Sequence, residues 1–303
     1  MKKVAHILKS QQFDRETISE IFKKADRINK SKSLPLRGKI LASLFYEPST
    51  RTRFSFESAM LRLGGAIIST ENAREFSSAA KGESLEDSIR VINNYADVII
   101  LRHFEEGASE KAAAVSRIPI VNAGDGAGQH PTQALLDLYT IYKELGSING
   151  IHVAFVGDLK NGRTARSLAF LLGKYKHVTL TFIAPKELQI GSDITEYLTK
   201  KKITYNTLTS WDKVLPTIDV LYMTRIQKER FRKQHEYKKY RDSYQLTLSH
   251  VVRMKKRSII MHPLPRLKEI ATEVDESEKA VYFKQTKYGL YIRMAILITL
   301  FGK

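Results

Sequence analysis

Short apolar runs alternate with helix-period segments along nearly the whole of this chain. Residues 40–46, 66–70, 97–102, 118–122, 151–156, 178–183, 203–207, 218–222 and 258–261 are brief and mostly rich in Val, Ile or Leu. That is the pattern of strands buried on both faces of a parallel sheet. Between them, 15–29, 53–63, 84–95, 108–116, 132–145, 163–174, 193–201 and 228–240 carry apolar residues at helical spacing. Such alternation predicts an α/β fold. A length of 303 residues suggests two domains, each a doubly wound parallel sheet. The turn-rich stretch Gly146-Ser147-Ile148-Asn149-Gly150 divides them into 1–146 and 147–283. A last helix, from Tyr282 to Phe301, is apolar enough to need docking, and 284–303 are expected to pack back on the first domain. Ligands of such folds sit beyond the carboxyl ends of the strands, in the loops that follow.

Composition narrows the classes. Hydrophobic content of 43% and charged content of 27% describe a soluble globular protein. The chain has no run of about 18 apolar residues, the length a membrane span needs. Met1-Lys2-Lys3-Val4-Ala5-His6 lacks the apolar stretch of a secretory signal. With no cysteine, disulfides, thiolate metal sites and cysteine nucleophiles are excluded, and a cytoplasmic location is expected. The net charge of +18 is uneven: Arg225 to Arg257 holds 12 Lys and Arg against Glu229, Glu236 and Asp242, a net of +9. Such a segment can steer anionic substrates, meet an acidic partner or simply be solvated. No aromatic RNA-binding motif or zinc-finger spacing accompanies it, which argues against nucleic acid as a partner.

The candidate chemistry lies where strands run into helices. Glu47-Pro48-Ser49-Thr50-Arg51-Thr52-Arg53 follows the first strand and opens a helix. Hydroxyls, guanidiniums and unpaired first-turn N–H groups together make an anion site. The plainer reading is that Ser49 or Thr50 only caps the helix while the arginines face water. Lys81 ends a small polar loop and could reach an anion or stay solvated. Arg102 closes a strand, pointing either into a ligand crevice or out to the surface. Asn122 to Gln133 contains Gly124, Gly126 and Gly128, not the G-x-G-x-x-G dinucleotide pattern, and sets His130 and Gln133 at a helix start. These glycines would let the backbone approach a ligand, and His130 could polarise a carbonyl or be structural. Gly157-Asp158-Leu159-Lys160-Asn161-Gly162-Arg163 follows another strand without a Walker ending. Two more strands end in Thr224-Arg225-Ile226-Gln227 and in His262-Pro263-Leu264-Pro265-Arg266, whose prolines stiffen the loop.

Taken in order, these blocks resemble the signatures of the aspartate/ornithine carbamoyltransferases across nearly the whole chain. Thr-Arg-x-Gln and His-Pro-Leu-Pro-Arg are similar to the aspartate branch; the ornithine branch carries a cysteine-containing loop at the latter position. The resemblance implies transfer of a carbamoyl group from carbamoyl phosphate to L-aspartate, an early step of pyrimidine synthesis, with no metal and no cofactor. Its first domain would bind carbamoyl phosphate and its second L-aspartate. Ser49, Thr50, Arg51 and Thr52 would cradle the phosphate. Thr52, Arg102 and His130 would donate to the carbamoyl oxygen. Gln133 and the carbonyls near Leu264 and Pro265 would hold the carbamoyl NH2, and Arg163, Arg225 and Gln227 the aspartate carboxylates. Lys81 would touch both substrates, and Ser77 and Lys81 would come from a neighbouring subunit of a homotrimer, with room for a regulatory chain. The family's alternatives are ornithine as acceptor, or a non-catalytic basic trimer that serves as scaffold or binds nucleic acid.

Overall fold

The structure, a computed structural model, describes residues 6–28, 33–76, 78–228, 231 and 233–302. Its contacts divide the chain into two compact units, Met1–Leu135 with Lys287–Lys303, and Leu136–Thr286. The first break lies inside the helix Pro131–Leu145, upstream of the turn at 146–150. A continuous helical period gives a sequence reader no mark for it.

The first unit runs α1 (Arg15–Ile28), β1 (Ile40–Phe45), α2 (Thr50–Arg62), β2 (Ala66–Glu71), α3 (Ala73–Phe76), α4 (Leu85–Ile92), β3 (Val98–His103), α5 (Ala108–Val115), β4 (Ile120–Asp125) and the start of α6 (Pro131–Leu145). Its sheet is parallel, in the order β2-β1-β3-β4. Ala42, Leu44, Ile99, Leu101 and Ile120 face Ala73, Ile89 and Ala112 in one core. Burying each large aliphatic side chain there contributes about 1.5–3 kcal/mol. β1 connects to β2 on one side and the chain then returns to β3 on the other, so the switch point lies between β1 and β3.

The second unit holds β5 (His152–Val156), α7 (Arg163–Leu172), β6 (Thr179–Ile183), α8 (Ser192–Lys200), β7 (Thr204–Leu208), β8 (Val220–Met223), α9 (Gln234–Tyr240), α10 (Leu248–Val251) and β9 (Ile259–Met261). Its parallel order β7-β6-β5-β8-β9 puts the switch between β5 and β8. Buried Tyr222 donates to Asp137 at 2.7 Å, and Gln285 donates to the other oxygen of that carboxylate at 2.5 Å. Burial first, and then the Asp137 charge, push the Tyr222 hydroxyl well above its ordinary range.

α11 (Tyr282–Leu300) closes the chain, and from Lys287 onward it belongs to the first unit. There Ile292, Ala295 and Ile296 are buried, and the Arg293 guanidinium lies 5.1 Å from the Phe56 ring centre. The one-turn helices α3 and α10 were not expected from sequence, and two expected elements differ in extent. β4 starts later than residue 118 and runs on through Gly124 and Asp125, because His103 pairs with Asp125 after an irregularity in the register. α9 covers Gln234–Tyr240 rather than 228–240, of which 229, 230 and 232 lie outside the described residues; it buries no side chain. Among the described residues no helix is long and apolar enough to cross a membrane.

Candidate active site

Each switch point carries a cluster of the residues singled out above. In the first unit, Ser49 is the N-cap residue of α2, yet its side chain makes no capping hydrogen bond. The helix start therefore keeps the polar groups an anion needs, and Ser49 is not spent on closing it. Thr52 is buried, and Thr50 and Arg51 are exposed. Arg53, grouped with Arg51 by sequence, is a structural residue instead. It pairs with Glu71 at 3.0 Å and ties α2 to β2.

Arg102 does not escape to the surface. Its guanidinium meets Glu47 at 2.7 Å and donates to the Ala123 carbonyl at 3.3 Å, with 12% of the side chain exposed. The Tyr46 N–H donates to the Arg102 carbonyl at 2.9 Å, which fixes the two loops against each other. His130 and Gln133 are buried at the start of α6, with the Thr132 hydroxyl 3.5 Å from His130 Nδ1. The glycine loop is shaped by the chain itself: a Cβ on Gly126, at φ 50°, would lie 2.6 Å from the Phe104 carbonyl oxygen. Asp125 braces the loop by accepting the N–H groups of Gln129 and Gly107 at 2.8 and 3.1 Å. Close approach to a ligand is thus not what Gly126 is for. Lys81 ends a short 3-10 turn, exposed, with no hydrogen bond or ion pair to any described residue. Ser77 lies outside the described residues.

In the second unit, Gly157 lets the loop after β5 lie against that after β8, since a Cβ there would stand 2.1 Å from the Thr224 carbonyl oxygen. Buried Asp158 accepts the backbone N–H and the side-chain amide of Asn161, all at 3.1 Å. The Asn161 carbonyl then accepts the Arg163 N–H at 3.1 Å and the Gln227 amide at 3.2 Å. Arg163 and Gln227, from two loops, are so brought onto one atom. Arg225 is half-buried and near enough to His262 to act on it electrostatically. In the loop after β9, Leu264 has φ 54° and precedes Pro265 by a cis peptide bond. Burial first holds His262 below the ordinary imidazole range; the Glu269 carboxylate resists this. Glu269 is held below its ordinary value, because the His262 hydrogen bond and charge and nearby backbone N–H groups outweigh its burial. Arg266 pairs with Asp275 and lies 5.4 Å from the Tyr282 ring centre, a structural role. Among the described residues no group of three or more His, Asp or Glu is arranged for a metal ion.

Two family models match this chain: the carbamoyl-phosphate-binding domain of aspartate/ornithine carbamoyltransferases over residues 5–143, and their aspartate/ornithine-binding domain over residues 149–300. The chain belongs to the aspartate/ornithine carbamoyltransferase family. Within it, the chain is 54% identical to aspartate carbamoyltransferase 1, chloroplastic, of Pisum sativum, covering 96% of this chain and 77% of that protein. It is 52% identical to the aspartate carbamoyltransferase catalytic subunit of Methanocaldococcus jannaschii, covering 96% of both. A crystal structure of that archaeal subunit superposes with a TM-score of 0.90 at 50% identity, covering 99% of this chain and 98% of that one. A Trypanosoma cruzi aspartate transcarbamoylase in complex with carbamoyl phosphate and aspartate superposes with a TM-score of 0.93 at 39% identity, covering 98% and 97%.

Sequence reasoning passed over Glu47, Asp125, Asn161 and Glu269 as partners. Each lies within or close to a motif, but its role is a contact that residue type alone does not announce.

Proposed function

We propose that this carbamoyltransferase moves the carbamoyl group of carbamoyl phosphate to the amine of L-aspartate, giving N-carbamoyl-L-aspartate and phosphate for pyrimidine synthesis. The observation that carries the reading is its likeness, at a TM-score of 0.93, to a relative solved with both of those substrates. In this reading Ser49, Thr50, Arg51 and Thr52 hold the phosphate at the start of α2. Thr52, Arg102 and His130 donate to the carbamoyl oxygen, where negative charge grows as the amine attacks the carbonyl carbon. Glu47 keeps the Arg102 guanidinium in place before any substrate arrives, so little reorganisation is needed at that step. Gln133 and the Leu264 and Pro265 carbonyls hold the carbamoyl NH2. Arg163, Arg225 and Gln227 bind the carboxylates of aspartate. The amine adds to the carbonyl carbon, and the C–O bond to phosphate breaks as the tetrahedral adduct collapses, the departing phosphate taking the amine proton. Orientation and electrostatics supply the acceleration. Offering the chain carbamoyl phosphate with aspartate and ornithine together tests this: carbamoyl-aspartate should form alone. Citrulline as the main product would replace the reading.

The working unit is a homotrimer in which Ser77 and Lys81 serve a neighbouring copy. Two features support it. Lys81 is exposed and has no ion pair among the described residues. The outer face of α2 and edge strand β2 forms an open concavity of about 560 Å³ lined by Phe54, Glu57, Ser58, Leu61, Arg62 and Ile67, with apolar Phe54 and Leu61 each 55% exposed. An uncovered apolar edge of this kind calls for a second copy. Mixing inactive Lys81→Ala and His130→Ala chains should restore activity through hybrid sites; no recovery after subunit exchange would mean a self-contained site. A reducing compartment suits the cysteine-free chain, and we read it as the cytoplasm, although the plant relatives are named as chloroplastic.

A further inference from the structure

Among the described residues Leu264 is the only aliphatic residue with a left-handed backbone, at φ 54°. A branched side chain there costs about 1–3 kcal/mol and persists only where the surroundings over-determine it. Here the determinant is an imidazole. The Leu264 N–H donates to His262 Nδ1 at 2.7 Å. A backbone amide can only donate, so Nδ1 is bare and the ring proton sits on Nε2. Nε2 lies 2.8 Å from Glu269 Oε1 and donates to it. The same carboxylate accepts the Leu267 N–H at 3.0 and 3.1 Å. The His262 N–H donates to Gln285 Oε1 at 3.2 Å, and Gln285 is tied to Asp137. His262 is 2% exposed and Glu269 8%. The brace therefore joins residues 262, 264, 267 and 269 of one loop through two buried side chains.

We infer that the buried His262–Glu269 pair is a positioning device for carbamoyl transfer, fixing the backbone at Leu264 and Pro265 whose carbonyls receive the carbamoyl NH2. The inference rests on the function proposed above and names what holds those carbonyls. Neither side chain touches substrate; both act through the loop. An apolar pair would fill the same space without the desolvation cost of an imidazole and a carboxylate, so the directed hydrogen bonds are the reason for these residue types. Loop attachment does not depend on them alone, because Arg266 is separately held by Asp275 and by Tyr282 at 3.1 Å.

Two substitutions separate the halves of the ring. In His262→Asn the amide oxygen can stand where Nδ1 stands and accept the Leu264 N–H. In His262→Gln the amide nitrogen can reach Glu269, and that acceptor is lost. The Gln variant should lose kcat on the order of 100-fold and show a raised carbamoyl phosphate KM, the Asn variant staying within about 10-fold of wild type. Inhibition by inorganic phosphate, which has no carbamoyl amide, should change less than about two-fold in either, as expected of a group held by other residues. If neither variant folds, Glu269→Ala, which removes the acceptor of both the His262 ring proton and the Leu267 N–H, should lose kcat, whereas Glu269→Gln, which keeps an acceptor for both, should not. An unchanged Gln variant, or equal loss of kcat and of phosphate inhibition, overturns the inference. A wild-type chain that does not carbamoylate aspartate sinks the proposed function itself; an active wild type with an unchanged Gln variant sinks only this positioning role.

Discussion

At the switch point of the first unit a side chain is clamped, whereas at that of the second a backbone is. Arg102 is gripped directly by Glu47 and by the Ala123 carbonyl. Around β5 and β8, Asp158 instead shapes the loop at Asn161, whose carbonyl collects Arg163 and Gln227. A group that must meet charge present only in the transition state gains most from being held in advance. Groups that recognise a carboxylate already charged in the ground state need correct spacing more than prior clamping. Arg102 and the other first-unit donors should therefore govern turnover, and Arg163, Arg225 and Gln227 aspartate affinity; the Leu264 loop, although in the second unit, serves the carbamoyl group.

The largest effect should come from the clamped site. Arg102→Ala or His130→Ala should lower kcat on the order of 100-fold or more with both substrates saturating. Wild-type turnover in either would remove the asymmetry. Next, Arg163→Ala or Arg225→Ala should raise the aspartate KM by about 10–100-fold, the worth of one or two charge-assisted hydrogen bonds, with a smaller fall in kcat. A larger loss of kcat than of affinity would reverse the assignment. Glu47→Gln sharpens the comparison: the amide keeps a hydrogen bond to Arg102 but not the charge. We expect kcat to fall about 3–10-fold with the aspartate KM unchanged, read from full steady-state kinetics.

The smallest effect concerns the basic segment from Arg225 to Arg257. Lys239 pairs with Glu187 at 3.2 Å, Lys255 with Asp219 at 2.8 Å and Arg253 with Asp212 at 2.9 Å, so part of its charge is locally balanced. Steering of anionic substrates is left to residues such as Lys238 and Lys256. Their replacement by Gln should flatten the salt dependence of the aspartate KM by no more than about two-fold, since exposed charges are screened beyond about 8–10 Å. Submicromolar binding of random-sequence RNA or DNA at physiological salt would favour a nucleic-acid role instead.

Among the described residues the inner strands were legible because buried parallel strands read as short apolar runs. Edge strands β2 and β7 are largely exposed and were marked by their β-branched residues. Strand order fixes where ligand loops fall. The end of β4 was not legible, because Ala123, Gly124 and Asp125 carry it past residue 122 with loop-like composition, Asp125 pairing with His103. Arg51 and Arg53 look equivalent in sequence; only packing shows that Arg53 is committed to Glu71. The braces were hidden for another reason. Glu47 and Arg102 are joined across the sheet, and nothing local to either marks the other. His262 and Glu269 are close in sequence, but the bond depends on a left-handed turn that no residue preference for Leu264 would predict.

The division of labour between the Arg102 site and the aspartate-binding guanidiniums is tested most directly by equilibrium binding of carbamoyl phosphate alone. Calorimetric titration of wild-type and Arg225→Ala chains, without aspartate, should give dissociation constants within about two-fold of each other, because a second-unit guanidinium reserved for aspartate has no part in that step. A loss of carbamoyl phosphate affinity as large as the rise in aspartate KM would contradict that division.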